Sequence, residues 1–185
     1  MTEAVPMTAA PTSTAGGARL ARVVLVGEAL TRLSPILEAD RAQAVADLTL
    51  ENRFRPLNVR PGQEACAQFS LHLSIQEGRL VFDIRCYDAT LGDGAAGEGA
   101  PVSAILLALG PFRGLIKDYQ LLVDSHIKAV EEGREARIQA IDMGRRGLHN
   151  EGANLMIERL AGKIAIDFET ARRLFTLVCV LHQRI

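Results

Sequence analysis

From Phe69 to Cys86 apolar and polar residues alternate through two consecutive runs, Phe69, Leu71, Leu73 and Ile75, then Leu80, Phe82, Ile84 and Cys86. A period of two is that of a β-strand, whose successive side chains leave opposite faces. Glu77-Gly78 separates the runs and suits a two-residue hairpin turn. Only one register, Ile75 opposite Leu80, Leu73 opposite Phe82 and Leu71 opposite Ile84, puts both apolar sets on one face, and a slip of one residue would turn one of them to water. The same register sets His72 opposite Asp83 and Ser70 opposite Arg85 on the wet face. A hairpin with one apolar face has to be covered, and the rest of the chain must supply the cover.

Val102 to Leu109 is apolar and short enough to be a buried third strand. Gly110-Pro111 follows, and proline fits the first helical position because its missing N–H has no partner there anyway. Phe112, Leu115, Ile116, Tyr119, Leu122, Val123, Ile127 and Val130 then recur at a 3.6-residue period, and Gly133 ends that helix. Ile138, Ile141 and Leu148 predict another helix, interrupted by Gly144 and Gly147. Leu155, Met156 and Leu160 predict a short one that stops at Gly162. Asp167 is placed to cap a last helix, whose Phe168, Ala171, Leu174, Phe175, Val178 and Leu181 form the buried stripe. Upstream, RVVLVG (Arg22 to Gly27) reads as a strand, and Glu38 to Phe54 as an amphipathic helix closed off by Pro56 and Pro61. Strands first and helices last predict an α+β fold: a small antiparallel sheet, hairpin 69–86 plus strand 102–109, packed on one face by C-terminal helices.

A chain of 185 residues with 48% hydrophobic and 23% charged residues is enough for one domain that buries roughly 70% of its unfolded surface. With no Trp and two Tyr the core is aliphatic. Met1 to Ala18 is built from Ala, Thr, Pro, Gly and Ser, which bury too little apolar surface to offset ordering. Residues 1–19 are therefore expected to be a disordered tail, 20–185 a single α+β domain, and 91–101 a flexible Gly-rich loop. The longest apolar runs, such as Ala104 to Leu109, are far short of the roughly 20 residues that cross a bilayer, and no apolar segment follows a positive N-terminus. Cys66, Cys86 and Cys179 stand singly, without zinc-type pairing or the even count of a secreted disulfide framework, which points to a reducing compartment, the cytoplasm.

Net charge is −1, yet Arg134 to Ile185 carries nine Arg/Lys against six Asp/Glu. A surplus of three falls well below the basic stripe that binds a phosphate backbone, so nucleic acid is not the expected partner. Gly92-Asp93-Gly94-Ala95-Ala96-Gly97 matches GxGxxG, but a strand follows where a helix is required, and Asp93 and Glu98 would repel phosphate. His149 and Glu151 have the H-x-E spacing of zinc deaminases, but no PCxxC follows, so no metal and no cofactor are expected. Asp142 to Asn154 (DMGRRGLHNEGAN) is where polar groups with different jobs crowd around glycines. Arg145 and Arg146, with Asn150, would hold a carboxylate or phosphate, His149 would transfer a proton, and Glu151 would orient the imidazole. Arg172 and Arg173, at the start of the last helix, oppose its dipole and offer further anion ligands, although Asp167 and Glu169 are local partners. The competing account makes Gly147 to Gly152 a helix-to-helix corner whose His149 and Asn150 satisfy freed backbone groups.

The long block IDMGRRGLHNEGANLMIERLAGKIAIDFETARRLFTLVCVLH (Ile141 to His182), with its GLHNEGA and TARRLFTL stretches, resembles an uncharacterised family of small alphaproteobacterial proteins. ENRFRPL (51–57), LHLSIQEGRLVFDIR (71–85) and LGPFRGLIKDY (109–119) are similar to other blocks of that family. The tail and the Gly-rich stretch around Gly92 to Gly99 depart from it. The resemblance implies no activity, cofactor or catalytic residue. The leading expectation is thus a non-enzymatic interaction or regulatory protein that offers its helical C-terminal region to a protein partner or a second copy. The alternative is a small enzyme or sensor that binds an anionic small molecule at residues 142–154.

Overall fold

The computed structural model describes residues 17–27 and 33–182. The expected tail lies almost wholly outside them. In chain order the elements are β1 (Arg19–Val26), α1 (Pro35–Leu50), β2 (Phe54–Pro56), β3 (Gln68–Gln76), β4 (Arg79–Tyr87), β5 (Glu98–Ala108), α2 (Arg113–Glu131), α3 (Glu135–Leu160), β6 (Ile164–Ile166) and α4 (Phe168–Leu181). Four strands make one sheet in the order β1-β3-β4-β5, and β2 pairs with β6 in a separate two-stranded ribbon. The fold is α+β.

The β3–β4 hairpin has the register that the alternation requires: Ile75 faces Leu80, Leu73 faces Phe82, Leu71 faces Ile84, and His72 faces Asp83. Glu77 (φ 50°) and Gly78 (φ 72°) turn it, the two positive φ values of a primed turn whose twist matches that of the strands. β5 lies antiparallel to β4. The sheet is mixed rather than wholly antiparallel, because β1 runs parallel to β3, with Val23 beside Leu71 and Leu25 beside Leu73. A parallel neighbour needs a long crossover, which α1 and the segment after it provide. β5 begins at Glu98, so the last part of the expected loop 91–101 is strand. The earlier part forms two tight 3-10 turns, Ala89–Leu91 and Gly94–Gly97.

α3 corrects the expectation of two helices around a glycine corner: it is continuous for 26 residues through Gly144, Gly147 and Gly152. Each mid-helix glycine costs about 1 kcal/mol relative to alanine, but Ile141, Leu148, Ala153, Met156 and Leu160 are buried along the helix and tertiary packing outweighs that cost. At Gly152 glycine is demanded, since a Cβ would lie 2.2 Å from Phe175 Cδ1. α4 is the central helix, with every side chain from Leu174 to Leu181 buried. Asp167 caps it, its carboxylate accepting from Thr170 N at 2.9 Å.

One contiguous apolar cluster joins the sheet residues Leu71, Leu73, Phe82 and Ile84 to Phe112 and Tyr119 of the α2 region and to Phe175 and Val178 of α4. On the outer side of β1, Asn52 accepts from Leu20 N (2.7 Å) and donates to Leu20 O (2.8 Å), so one side chain closes that stretch of edge. The cysteines also correct the sequence reading: Cys66 and Cys86 are joined as a disulfide with Cα atoms 5.8 Å apart, and Cys179, outside that bond, is buried. Twenty residues separate the pair in sequence, but β3–β4 pairing sets Phe69 beside Cys86 and brings them together. Among the described residues no helix is long and apolar enough to cross a membrane.

Candidate functional site

Where α1, α2 and α3 meet, a polar knot interrupts the apolar packing. Asp40 of α1 accepts from Tyr119 Oη of α2 at 2.5 Å and from the Arg145 guanidinium of α3 through the same oxygen, Oδ2. Arg145 Nη1 is also 3.6 Å from Asp142 Oδ1, one turn back along α3. His149 follows one turn later, on the same face as Arg145 because residues four apart stack on a helix. Its ring stacks on Tyr119 with centroids 5.6 Å apart and meets the Phe175 ring edge-on at 6.2 Å. The Arg145 and Asp40 side chains are only 14% and 18% exposed.

Burial, then the Asp40 carboxylate, pushes the Tyr119 hydroxyl far above its ordinary range. Burial alone would lower Arg145, but the charge of Asp40 and its hydrogen bond more than reverse this, so the guanidinium is held charged. His149 is pushed down to about 4, first by burial and then by the charges of Arg145 and Arg172. At neutral pH the knot therefore gathers a guanidinium, a phenol and a neutral imidazole around Asp40. His149 Nε2, Arg145 Nε and Arg172 Nε are buried with no hydrogen-bond partner. Cys179 of α4 is wholly buried, and burial pushes its thiol well up. The arrangement ties three helices together around a half-buried, neutral imidazole.

The structure spreads the other sequence candidates around. Arg146, Asn150 and Glu151 are exposed on other sides of α3. Arg172 is half-buried and contributes its charge to the knot. Arg173 turns away to Asp47 Oδ2 (3.5 Å) and Glu169 Oε2 (4.0 Å). Among the described residues, no three His, Cys, Asp or Glu side chains group as metal ligands. Gly92 to Gly97 lie in the 3-10 turns that feed β5, not before a helix.

Two residues of the knot escaped the sequence reading. Tyr119 carried a signal, since a tyrosine on an apolar stripe must find a partner for its hydroxyl. Asp40 carried none. A second cluster, on the sheet's polar face, was also missed. Glu98 Oε1 accepts from Ser70 Oγ and faces His72 Nε2, each at 2.6 Å, and pairs with Arg22. Burial would raise the Glu98 carboxyl, but the Ser70 hydroxyl, His72 and Arg22 together hold it below its ordinary value. Register alone pointed His72 to Asp83, but Asp83 bonds Arg85 at 3.2 Å instead.

Fold and site thus define an α+β protein with a mixed sheet, a buried central helix and an interhelical ion-pair knot. The chain belongs to the Uncharacterised protein family UPF0262, whose model matches residues 17–184. It is 65% identical over 174 residues to a UPF0262 protein of Granulibacter bethesdensis, spanning 92% of this chain and 93% of that one. It is 57% identical to one of Acidiphilium cryptum (90% and 93% covered) and 44% identical to one of Bradyrhizobium diazoefficiens (95% and 98% covered). No solved structure matches the chain.

Proposed function

We propose that residues 20–185 act as one domain, a non-enzymatic interaction or regulatory protein of the cytoplasm that docks a partner helix, or a second copy of itself, on the outer face of α3. The supporting observation is the pair of glycines in the middle of that helix. A Cβ on Gly147 would meet nothing within 4 Å, and one on Gly144 would meet only Leu122 methyls at 3.7 and 3.8 Å, an ordinary contact. Alanine at either position would strengthen the helix by about 1 kcal/mol with nothing in the way. Glycine there serves nothing inside the chain, while a surface without side chains lets another backbone come close. Met143, 72% exposed, lies beside them as an adaptable apolar contact, and exposed Arg146 and Asn150 flank it. Nucleic acid is not part of the proposal.

The test is self-association measured by sedimentation at micromolar concentration, together with capture from source-cell extract, for wild type, Gly147→Gln and Met143→Glu. Association of the wild type, weakened about tenfold or more (~1.4 kcal/mol) by either change with no fall in Tm, supports the reading. A strict monomer that captures nothing, or variants that bind like wild type, would overturn it.

The anionic small-molecule reading keeps one observation in its favour, the three unpartnered nitrogens of Arg145, His149 and Arg172. Against it, Asp40 already neutralises Arg145 and Arg146 points elsewhere. Inorganic phosphate that raises the Tm of wild type but not of Arg172→Ala would revive it.

A further inference from the structure

Residues 57–67 leave β2 and cross the free edge of β5 before entering β3, forming a strap. Its start is held firmly: Leu57 N donates to Lys163 O at 2.9 Å and Asn58 Nδ2 to Gly162 O at 3.2 Å. Its middle is held mainly to itself, by Gln63 N to Arg60 O (3.1 Å) and Cys66 N to Gln63 O (3.2 Å). Arg60 N to Val102 O, at 2.9 Å, is the backbone hydrogen bond that fastens it to β5. Between strap and strand lies an open groove of about 520 Å³, lined by Asn58, Arg60, Glu64, Val102 and Ala104 among others. The far end is fastened by Cys66 to Cys86. Cys86 sits in β4 between Arg85 and Tyr87, where the ladder to β5 is irregular.

Both cysteines are half-buried, so a small thiol can reach them. Gln63 Oε1 stands 3.1 Å from Cys86 Sγ and 3.6 Å from Cys66 Sγ, an acceptor ready for either S–H once the bond opens. The oxidised and reduced pairs thus each have a satisfied local arrangement. The ties of the strap outside itself lie at its ends and at Val59 and Arg60: Ala67 O accepts from Arg19 N at 3.0 Å and Val59 packs against the core. The largely exposed stretch between Arg60 and Cys66 is the part the clasp controls. In a reducing compartment a bond of this kind is transient or redox-sensing.

We infer that Cys66 and Cys86 form a reversible redox clasp: closed, it pins strap 57–67 over the free edge of β5, and opened, it releases the strap and bares that edge. The oxidant is a small-molecule disulfide. One cysteine thiolate attacks a sulfur of that disulfide, expelling one thiolate and leaving a mixed disulfide on the protein. The second cysteine thiolate attacks the protein sulfur of that intermediate and expels the other thiolate. The two cysteine protons end on the two released thiols, the protein pair losing two electrons and the small disulfide gaining them. A bared edge strand is a template to which an extended peptide can add, a surface separate from the face of α3.

The full chain is equilibrated in glutathione buffers from oxidised to reduced, free thiols are counted by alkylation and mass spectrometry, and amide hydrogen exchange is followed by peptide. Two thiols should appear under native conditions on reduction, Cys179 alkylating only after denaturation. Exchange in 59–66 and in β5 should then accelerate about tenfold or more, with the β3–β4 hairpin unchanged. Cys66→Ser should show the reduced pattern in both buffers, and if that variant does not fold, the wild-type comparison decides alone. The inference is overturned by unchanged exchange on full reduction, by a bond that resists dithiothreitol until the protein is denatured, by loss of the whole fold on reduction, or by cysteines that never pair in the oxidised buffer.

Discussion

Replacing Gly152 and Gly147 by alanine, one at a time, should move stability in opposite directions, although both lie in the interior of one helix. Propensity favours alanine by about 1 kcal/mol at each. At Gly147 nothing opposes it, since a Cβ meets open space, so Gly147→Ala should raise Tm by roughly 2–4 °C for a protein of this size. At Gly152 the new methyl would sit 2.2, 2.3 and 2.4 Å from three ring atoms of Phe175, more than 1 Å inside van der Waals contact. The Phe175 ring is fully buried, with the His149 ring against it, and has nowhere to turn. Relief must come from parting α3 and α4, which strips contacts from Ala153, Met156 and Ala171. Overpacking of this kind costs 1–3 kcal/mol and sometimes more. The clash is severe enough for the upper end of that range, and less the propensity gain the net expectation for Gly152→Ala is a loss of about 2 kcal/mol, or roughly 4–8 °C in Tm. Thermal melts followed by circular dichroism read both. A rise in Tm for Gly152→Ala matching that of Gly147→Ala would refute the close approach of α3 to α4.

Two further outcomes follow from the knot. Folded His149 stays neutral down to pH about 4, whereas the unfolded imidazole protonates near 6.5; between these values the unfolded chain binds the extra proton, so the stability at stake is whole above pH 6.5 and is lost as pH falls toward 4, by at most about 3 kcal/mol. Urea titrations across that window should show His149→Phe with a flatter pH dependence than wild type, and equal slopes would remove His149 as the cause. Asp40→Asn leaves the Arg145 charge with only the more exposed Asp142, 3.6 Å away, and weakens the acceptor for Tyr119, at about 2–3 kcal/mol, below the figure for a fully buried pair because both groups keep some water and Arg145 keeps a second carboxylate. Adding Arg145→Met should recover part of that loss, whereas strictly additive effects in the double-mutant cycle would mean that the two side chains do not interact.

The hairpin was legible because alternation, a two-residue turn and a one-sided apolar face admit a single register. The helix on Tyr119 and the last helix were legible for a similar reason: a long stripe at one period and a recognisable stop or cap. What stayed hidden depended on partners distant in sequence. β1 reads as a short apolar run, and nothing in it says that it lies parallel to β3. β2 and β6 are three residues each, too short for any period. The Cys66–Cys86 bond is set by sheet pairing, not by cysteine spacing. In the site, Arg145 and His149 could be placed together from their four-residue interval, but Asp40, 105 residues from Arg145, left no trace.

The misreading of α3 also bears on the two proposed kinds of function. Read as a loop or corner, DMGRRGLHNEGAN can gather all its polar groups around one ligand. Read as a helix, each residue is turned about 100° from the last, so Arg145 and Arg146 leave on different sides and Asn150 and Glu151 diverge from His149. The helix sends Arg145 and His149 inward, where Asp40 and Tyr119 occupy them, and Gly152 inward, where Phe175 needs its space. Arg146, Asn150, Met143 and Gly147 go outward, and Gly144 lies at the flank, toward Leu122. A ligand pocket needs convergent groups that the chain has not already paired. This helix instead uses its convergent groups on its own neighbours and leaves a divergent, low surface outside, which suits another protein's backbone better than a metabolite.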